Sequence, residues 1–267
     1  MRAIATVPEM IISRLRADDS RLIFLLAIEG EEYTSEAIND GTGLKLTLKC
    51  SCAQPNDEIE KILSMFGLGR AQLFFPRKPL EREDCISCSI AAILSSFYAL
   101  KREVNIVNEL NAPQELKAIL ASSLLGGMNI YSIGEKAPAL LRYFYPHEAL
   151  RVAVLYREPK TLEIIAPKSS IYDMIEGLSL IYAGESEAGA KAIIRASNAI
   201  NASAQSGDRP SSLPLFPGEG KEYLLLPSST TCSPYLMKLN AEASDYIKKQ
   251  GRASISRLSR GATVLIG

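Results

Sequence analysis

The chain has 267 residues, enough for one large domain or for two lobes that share a core. Hydrophobic residues make up 47%, and 30 basic residues balance 30 acidic ones, so we expect neither nucleic acid nor a membrane surface as a partner. No apolar run is long enough to span a bilayer, and none precedes Pro8 as a secretory signal would. We therefore expect a cytoplasmic protein; a homodimer is compatible with the sequence.

The first half of the chain predicts strands and helices in mixed order. A buried strand spans Arg21 to Ile28, and an alternating strand follows the Asp40–Gly43 turn at Leu44 to Ser51. Asn56 begins a helix that has one apolar face and that Gly67 ends. Further predicted elements are a strand at Ala71–Phe75, a helix at about Asp84–Lys101, a helix from Pro113 to Leu125 that ends at Gly126–Gly127, and a strand at Met128–Ser132.

The second half begins with its clearest strand, Leu150 to Tyr156. Two helices, Ser169–Ala183 and Glu185–Ala204, meet at Gly184, and Ser206–Gly220 has the composition of a surface loop. The remaining predicted elements are strands at Tyr223–Leu226 and Tyr235–Leu239, a helix at Ala241–Gln250, and strands at Ala253–Arg257 and Ala262–Ile266. This mixture predicts a layered α+β fold with two lobes, residues 1–145 and 146–267.

The five cysteines form two close pairs and one single residue: Cys50 and Cys52, Cys85 and Cys88, and Cys232. Four thiolates could hold a structural zinc ion, but zinc ribbons use paired C-x-x-C knuckles on tight turns. Buried free thiols are therefore the favoured interpretation. Because His147 is the only histidine, most histidine-based catalysis and metal ligation are excluded.

The segment from Ala71 to Leu100 has the strongest chemical implication in the chain. An apolar strand meets a proline-rich turn, and a helix then opens on small hydroxyl and thiol residues. A helix beginning of this kind presents unpaired backbone amides and a positive dipole end, which together bind phosphate. Ser87 and Ser89 are the candidate phosphate or magnesium contacts. The alternative is structural: small residues on a tightly packed helix, with Asp84 as its cap.

The order of elements resembles the GHMP family of small-molecule kinases, most closely its archaeal shikimate kinase branch. The strand–proline–serine segment is similar to the family's P-x-x-x-G-L-S-S-S-S-A phosphate loop. The segment from Leu120 to Met128 resembles D-D-A-x-A-S-x-x-G-G, and the segment from Ser228 to Tyr235 resembles S-G-T-G-P-S-Y. The resemblance extends over nearly the whole chain in order and spacing.

The resemblance implies a kinase that uses ATP and Mg²⁺ to phosphorylate a hydroxyl of a small acid, most closely shikimate. The residues that it places at the nucleotide are Asp84, Ser87, Cys88 and Ser89, with Ser87 at the metal ion. Lys78, or alternatively Arg77, would neutralise phosphate charge, and Glu115 would be the nearest carboxylate to act as a base. The residues that would shape the acceptor pocket are Gly126, Gly127, Ser229, Thr231 and Tyr235.

Three departures from the family pattern favour an alternative function. Acidic residues, including Glu83 and Asp84, lie where the family has glycine and serine, and a carboxylate there repels an anionic ligand. Ala118 and Ile119 replace the two aspartates, and the loop at 228–235 lacks its glycines. The alternative is a catalytically inactive protein that keeps the kinase fold as a ligand-binding or interaction module.

Overall fold

The computed structural model describes most of the chain. The described residues are 1–17, 20–50, 52–53, 56–68, 70–76, 80–81, 86–101, 112–134, 138–146, 150–156, 164–203, 223–227, 229, 232–238, 245, 249 and 252–267. The predicted loop at 206–220 and most of the predicted helix at 241–250 lie outside these residues.

The described residues form strands and helices in mixed order. The strands are β1 (Arg2–Ala17), β2 (Ser20–Asn39), β3 (Leu44–Lys49), β4 (Cys52–Ala53), β5 (Ala71–Phe74), β6 (Leu80–Glu81), β7 (Met128–Ile133), β8 (Ala139–Phe144), β9 (Leu150–Tyr156), β10 (Ile164–Ile165), β11 (Tyr223–Leu225), β12 (Cys232–Lys238), β13 (Ala253–Ser256) and β14 (Thr263–Ile266). The helices are α1 (Asn56–Met65), α2 (Ile86–Ala99), α3 (Gln114–Leu125), α4 (Lys168–Tyr182) and α5 (Ser186–Ser203).

A large eight-stranded sheet is built around the long β1–β2 hairpin. Its main path is β10-β1-β2-β3-β5, with β14 also paired to β1, β7 paired to β2, and β8 paired to β7. Helices α1, α2 and α3 cover one face, where small residues such as Ala3 and Ala5 let α2 approach the sheet closely. Nearly every residue of α2 is buried, which is why its sequence is apolar or small all round.

A second layer covers the other face of the β1–β2 hairpin. Helices α4 and α5 and a four-stranded sheet, β11-β12-β9-β13, enclose a second core with β1, β2 and β7. Apolar residues on β1 alternate between the two cores, since side chains along a strand point to opposite faces. The long hairpin is therefore common to both layers.

The predicted α+β architecture is confirmed, and most element bounds agree with the prediction within a few residues. The sequence analysis missed β1 and β8, as well as the two-residue strands β4, β6 and β10. The division into lobes at residue 145 stays a prediction, although β10 and β14 from the second half pair with β1 of the first. None of the described helices has the length and apolar character required to cross a bilayer.

Candidate functional site

The candidate site lies at a gap in one edge of the large sheet. Strand β2 pairs with β1 along its whole length, so β14 and β10 share the opposite edge of β1. Strand β14 occupies residues 3–6 of that edge and β10 occupies residues 15–16. Within the described part of the chain, no strand pairs with residues 7–14 on that edge. Main-chain groups of β1 are therefore available there to helices and loops.

A bulge at Pro8 shapes this gap. Val7 pairs with Tyr33 and Glu9 pairs with Ile28, so residues 29–32 of β2 lie opposite Pro8 alone. The extra residues of the bulge therefore belong to β2, and Pro8, which lies opposite them, has no amide hydrogen to donate. Bulges of this kind re-aim neighbouring side chains and are common beside functional sites. Here the bulge changes the alternation of β1, so that Met10 rather than Glu9 faces α2.

The first turn of α2 contacts β1 directly at this gap. The Ser87 hydroxyl oxygen accepts a hydrogen bond from the Met10 amide at 3.2 Å, and the serine is buried. Ser89 is also fully buried. The side chains of both predicted phosphate contacts thus lie within the protein. In general, what a helix beginning can offer a ligand is its first main-chain amides, which precede the first hydrogen bond of the helix ladder.

Cys88 is joined by a disulfide to Cys50, with the two Cα atoms 6.1 Å apart. The interpretation of these two cysteines as free thiols is therefore wrong. The sequence missed the bond because the residues are 38 positions apart and belong to different elements. The sulfur of Cys88, predicted to lie at the nucleotide, is committed to this bond. Cys232, in contrast, is a buried free thiol, as predicted.

The first turn of α3 lies farther along the same face of β1. Glu115 Oε1 is 2.6 Å from Arg14 Nε, and the two side chains are 35% and 53% exposed. Met10 and Arg14 are four residues apart on one strand, so the contacts of α2 and α3 with β1 are separated by about 13 Å. Glu115, the predicted base, thus lies beside Arg14, a cation that the sequence analysis did not connect with it. No local pattern could have revealed this pairing, since the two residues are 101 positions apart.

The positions that the resemblance compared with aspartates face the core. Ala118 and Ile119 are 0% and 1% exposed and pack in the core under the large sheet. An acidic side chain at either position would have to be buried without a counter-ion, which is costly. The carboxylate that α3 does present to solvent is that of Glu115, whose side chain is partly exposed.

Gly126 and Gly127 form a tight junction between three segments. Both have positive φ, and a Cβ at Gly126 would collide with the Ser259 carbonyl while one at Gly127 would collide with that of Phe144. The Gly127 amide donates to Ser259 O at 2.8 Å, and its carbonyl accepts from the Ala27 amide at 2.9 Å. These contacts explain why glycine is required at both positions: the two residues end α3 and allow three backbone segments to pack closely.

The predicted acceptor residues of the 228–235 segment are divided by the structure. Ser229 and Cys232 close a turn, in which the Cys232 amide donates to the Ser229 hydroxyl oxygen at 3.0 Å. Beside this turn, the Ser13 hydroxyl of β1 donates to the Pro227 carbonyl at 2.7 Å. Tyr235 faces the opposite side of the four-stranded sheet from Cys232, in a small cluster with Ala153 and Met237. The structure therefore brings Ser229, but not Tyr235, toward β1.

Three other predicted site residues, Lys78, Asp84 and Thr231, lie outside the described residues, and their predicted roles stay predictions.

A polar group on the far side of β1 was missed by sequence reasoning. The Tyr156 hydroxyl of β9 donates to Glu9 Oε1 at 3.2 Å, and Arg252 lies over the tyrosine ring. Burial raises the pKa of the Tyr156 hydroxyl to about 12, so it remains a donor at neutral pH. The bulge at Pro8 turns Glu9 toward β9, and this turn depends on tertiary pairing that the sequence does not reveal.

Solved structures share this architecture over the full length of the chain. A mevalonate pyrophosphate decarboxylase from Streptococcus pyogenes matches with a TM-score of 0.56 at 12% identity, covering 96% of each chain. A protein assigned as homoserine kinase from Listeria monocytogenes matches with a TM-score of 0.55 at 11% identity, covering 99% of each chain. The chain has the GHMP kinase fold. A phosphotransferase related to coenzyme A biosynthesis matches with a TM-score of 0.51 at 12% identity, covering 99% of this chain and 98% of that one.

The sequence comparisons add no closer relative. No protein-family model matches the chain, and no curated protein matches it by sequence. One of the structural neighbours is named as a decarboxylase and another as a kinase, so the fold itself does not determine the reaction. The reaction has to be argued from the residues at the gap.

The residues of the gap fit the two parts of a magnesium nucleotide unequally. The main-chain amides at the beginning of α2 suit phosphate oxygens. In contrast, no group of three or more potential metal ligands occurs among the described residues. Mg²⁺ bound together with a nucleotide needs only one or two carboxylates from the protein, because phosphates and water complete its coordination.

Proposed function

We propose that this protein is a small-molecule kinase, which transfers the γ-phosphate of ATP to a hydroxyl group of a small acid. The observation that carries the proposal is the placement of two helix beginnings, those of α2 and α3, along the same face of β1 beside the sheet gap. One of them offers backbone amides suited to phosphate, and the other offers a carboxylate and a guanidinium side by side. Phosphoryl transfer requires mainly positioning and charge stabilisation of this kind.

Each residue has a defined part in the proposed reaction. The amides of the first turn of α2 hold the phosphates. Glu115 accepts the proton of the acceptor hydroxyl, and the oxygen of that hydroxyl bonds to the γ-phosphorus. The bond from the γ-phosphorus to the β,γ-bridging oxygen breaks in the same step, and ADP leaves. Arg14 contacts Glu115 through Nε, so its two terminal nitrogens remain to bind a carboxylate of the acceptor.

Shikimate is the first acceptor to test, because it carries the hydroxyl and carboxylate that this arrangement requires and because of the family resemblance. The same proposal includes four further points: the nucleotide brings the Mg²⁺ ion, the protein is cytoplasmic, its two lobes divide at residue 145, and it assembles as a homodimer. Size-exclusion chromatography with light scattering tests the last of these.

A second candidate function is favoured by specific contacts. Ala118 and Ile119 are buried in the core, and the Cys88 sulfur is in a disulfide, so side chains that a GHMP kinase was expected to use are replaced or engaged. These facts support a kinase-fold protein that binds a phosphorylated ligand without catalysing transfer. The two candidates differ in turnover and not in binding.

The test combines calorimetric titration of Mg-ATP with measurement of ADP formation in the presence of shikimate and other hydroxy acids. The kinase proposal expects binding and acceptor-dependent ADP release. It also expects about a 100-fold fall in turnover in Glu115→Gln, the usual effect of losing a general base. Glu187→Gln is the matched control, because Glu187 forms an exposed ion pair with Lys191 on α5.

Three results distinguish the candidates. Binding with turnover that falls in E115Q but not in E187Q supports the kinase. Binding without turnover for any acceptor supports the non-catalytic alternative. Absence of Mg-ATP binding, in a protein that unfolds cooperatively, contradicts the kinase and restricts the non-catalytic alternative to phosphorylated ligands other than ATP.

A further inference from the structure

The Cys50–Cys88 disulfide has a position that the proposed function does not explain. It joins the residue that follows β3 to the third residue of α2, within the first turn of that helix. That first turn has a second attachment, the hydrogen bond from the Met10 amide to Ser87. Two adjacent residues therefore hold the beginning of α2 against two different strands. Reduction would remove the covalent attachment and leave the hydrogen bond.

The two sulfurs differ in accessibility. Cys88 is fully buried, whereas Cys50 is half-buried at the edge of the same core. An attacking thiolate therefore reaches Cys50 first, and Cys88 is the leaving group. Thiol–disulfide exchange proceeds by attack of a thiolate on a sulfur that it can reach, so accessibility determines the order of the two steps.

We propose that the Cys50–Cys88 disulfide is a redox switch that controls the order of the first turn of α2. A dithiol reductant attacks the Cys50 sulfur and breaks the disulfide, and Cys88 leaves as a thiolate that then takes up a proton. The second thiol of the reductant displaces Cys50, so two electrons and two protons pass to the protein and the reductant becomes a disulfide. In the dithiol form, residues 86–89 lose their covalent attachment to β3.

The consequence for ligands follows from preorganisation. Ordered amides bind a phosphate group without a further entropy cost, whereas a loosened helix beginning must be ordered when the ligand binds. The disulfide form should therefore bind a polyphosphate more tightly than the dithiol form. This consequence rests on the proposed function, whereas the change in order does not.

The first experiment uses the full chain without any nucleotide, so that it tests the switch independently of kinase activity. Hydrogen exchange is compared between the oxidised protein and protein reduced by dithiothreitol under native conditions, with reduction verified by alkylation and mass measurement. We expect the amides of residues 90–92, which bond within the helix to the carbonyls of residues 86–88, to exchange at least about tenfold faster after reduction, while those of α5 change little. Unchanged exchange at 90–92 in reduced protein overturns the proposal, as does reduction that occurs only in denaturant.

Matched variants separate the disulfide from the other thiols. The double variant Cys50→Ala with Cys88→Ala should show the fast exchange with or without reductant. Single variants Cys52→Ala and Cys85→Ala, close in the sequence to the bonded pair, should keep the response. A response that disappears in either single variant overturns the assignment to Cys50 and Cys88.

A second measurement adds the ligand. Calorimetric titration of Mg-ATP should give a dissociation constant that is at least about tenfold larger in the reduced protein. The titration is done at a temperature where circular dichroism shows that both forms are folded. Equal affinity in the two forms overturns the switch as a control of binding and leaves the kinase proposal intact. If neither form binds Mg-ATP although exchange at 90–92 responds to reduction, the kinase proposal fails and the switch in helix order stands.

Discussion

The beginnings of α2 and α3 lie along the same face of β1, but they are held in opposite ways. The first turn of α2 is buried and attached through side chains, by the Ser87 hydrogen bond and the Cys88 disulfide. The first turn of α3 is partly exposed and carries the Arg14–Glu115 ion pair. The side chains at the beginning of α2 therefore make structural contacts in the interior. At the beginning of α3 the charged side chain lies at the surface, in an ion pair that solvent can reach.

This comparison predicts that changes at α2 affect stability more than changes at α3. The largest effect is expected for the double variant Cys50→Ala with Cys88→Ala. A cross-link that closes a loop of 38 residues stabilises the folded state by about 3–4 kcal/mol, chiefly by restricting the unfolded chain. Urea unfolding of oxidised protein measures this loss. A loss below about 1 kcal/mol would contradict this expectation and would place the disulfide below the Ser87 contact in its effect on stability.

The second effect is expected for Ser87→Ala, because the buried Met10 amide loses its acceptor. An unsatisfied buried donor costs about 1–3 kcal/mol. The control is Ser64→Ala on α1, whose exposed hydroxyl donates to the Lys61 carbonyl and whose loss should change little. Equal unfolding midpoints for the two variants would mean that the Ser87 contact does not support α2.

A smaller effect on stability is expected at α3. Arg14 and Glu115 form a partly exposed ion pair, and such pairs contribute about 0–1 kcal/mol. A double-mutant cycle with Arg14→Ala and Glu115→Gln measures the coupling energy, with the Lys191–Glu187 pair as the exposed reference. Coupling above about 2 kcal/mol would place the pair with the structural contacts of α2 and weaken its proposed role in catalysis.

The last effect appears only at high pH and uses the far face of β1 as a reference region. Burial raises the pKa of Tyr156 to about 12, whereas an unfolded tyrosine titrates near 10. This contribution to stability is therefore complete below pH 10 and is lost as the pH rises toward 12. Tyr156→Phe should show a shallower loss of stability over that range than the wild type. Tyr172→Phe, which removes an exposed hydroxyl, should leave the slope unchanged.

Much of the fold could be predicted from the sequence because its signals are local. The alternation of Leu44 to Ser51, the position of Gly67 after an amphipathic helix and the Gly126–Gly127 ending each depend on neighbouring residues. The strand β1 was missed because small residues such as Ala3 and Ala5 mark the buried face of its first half and because the alternation of buried residues shifts at Pro8. The segments of the site were predicted because their signals are local as well. The orientations of their side chains were not predicted, because these depend on packing between distant segments.

The order of the elements, the α+β class and the resemblance to GHMP kinases could be read from local patterns, since hydrophobic periodicity and turn residues act over a few positions. The Cys50–Cys88 bond, the Arg14–Glu115 pair and the contact of Glu9 with Tyr156 follow instead from tertiary packing. Each of these contacts joins residues far apart in the chain. They arise from the register of the β1–β2 hairpin and the packing of α2 and α3 upon it, and no local pattern encodes that register.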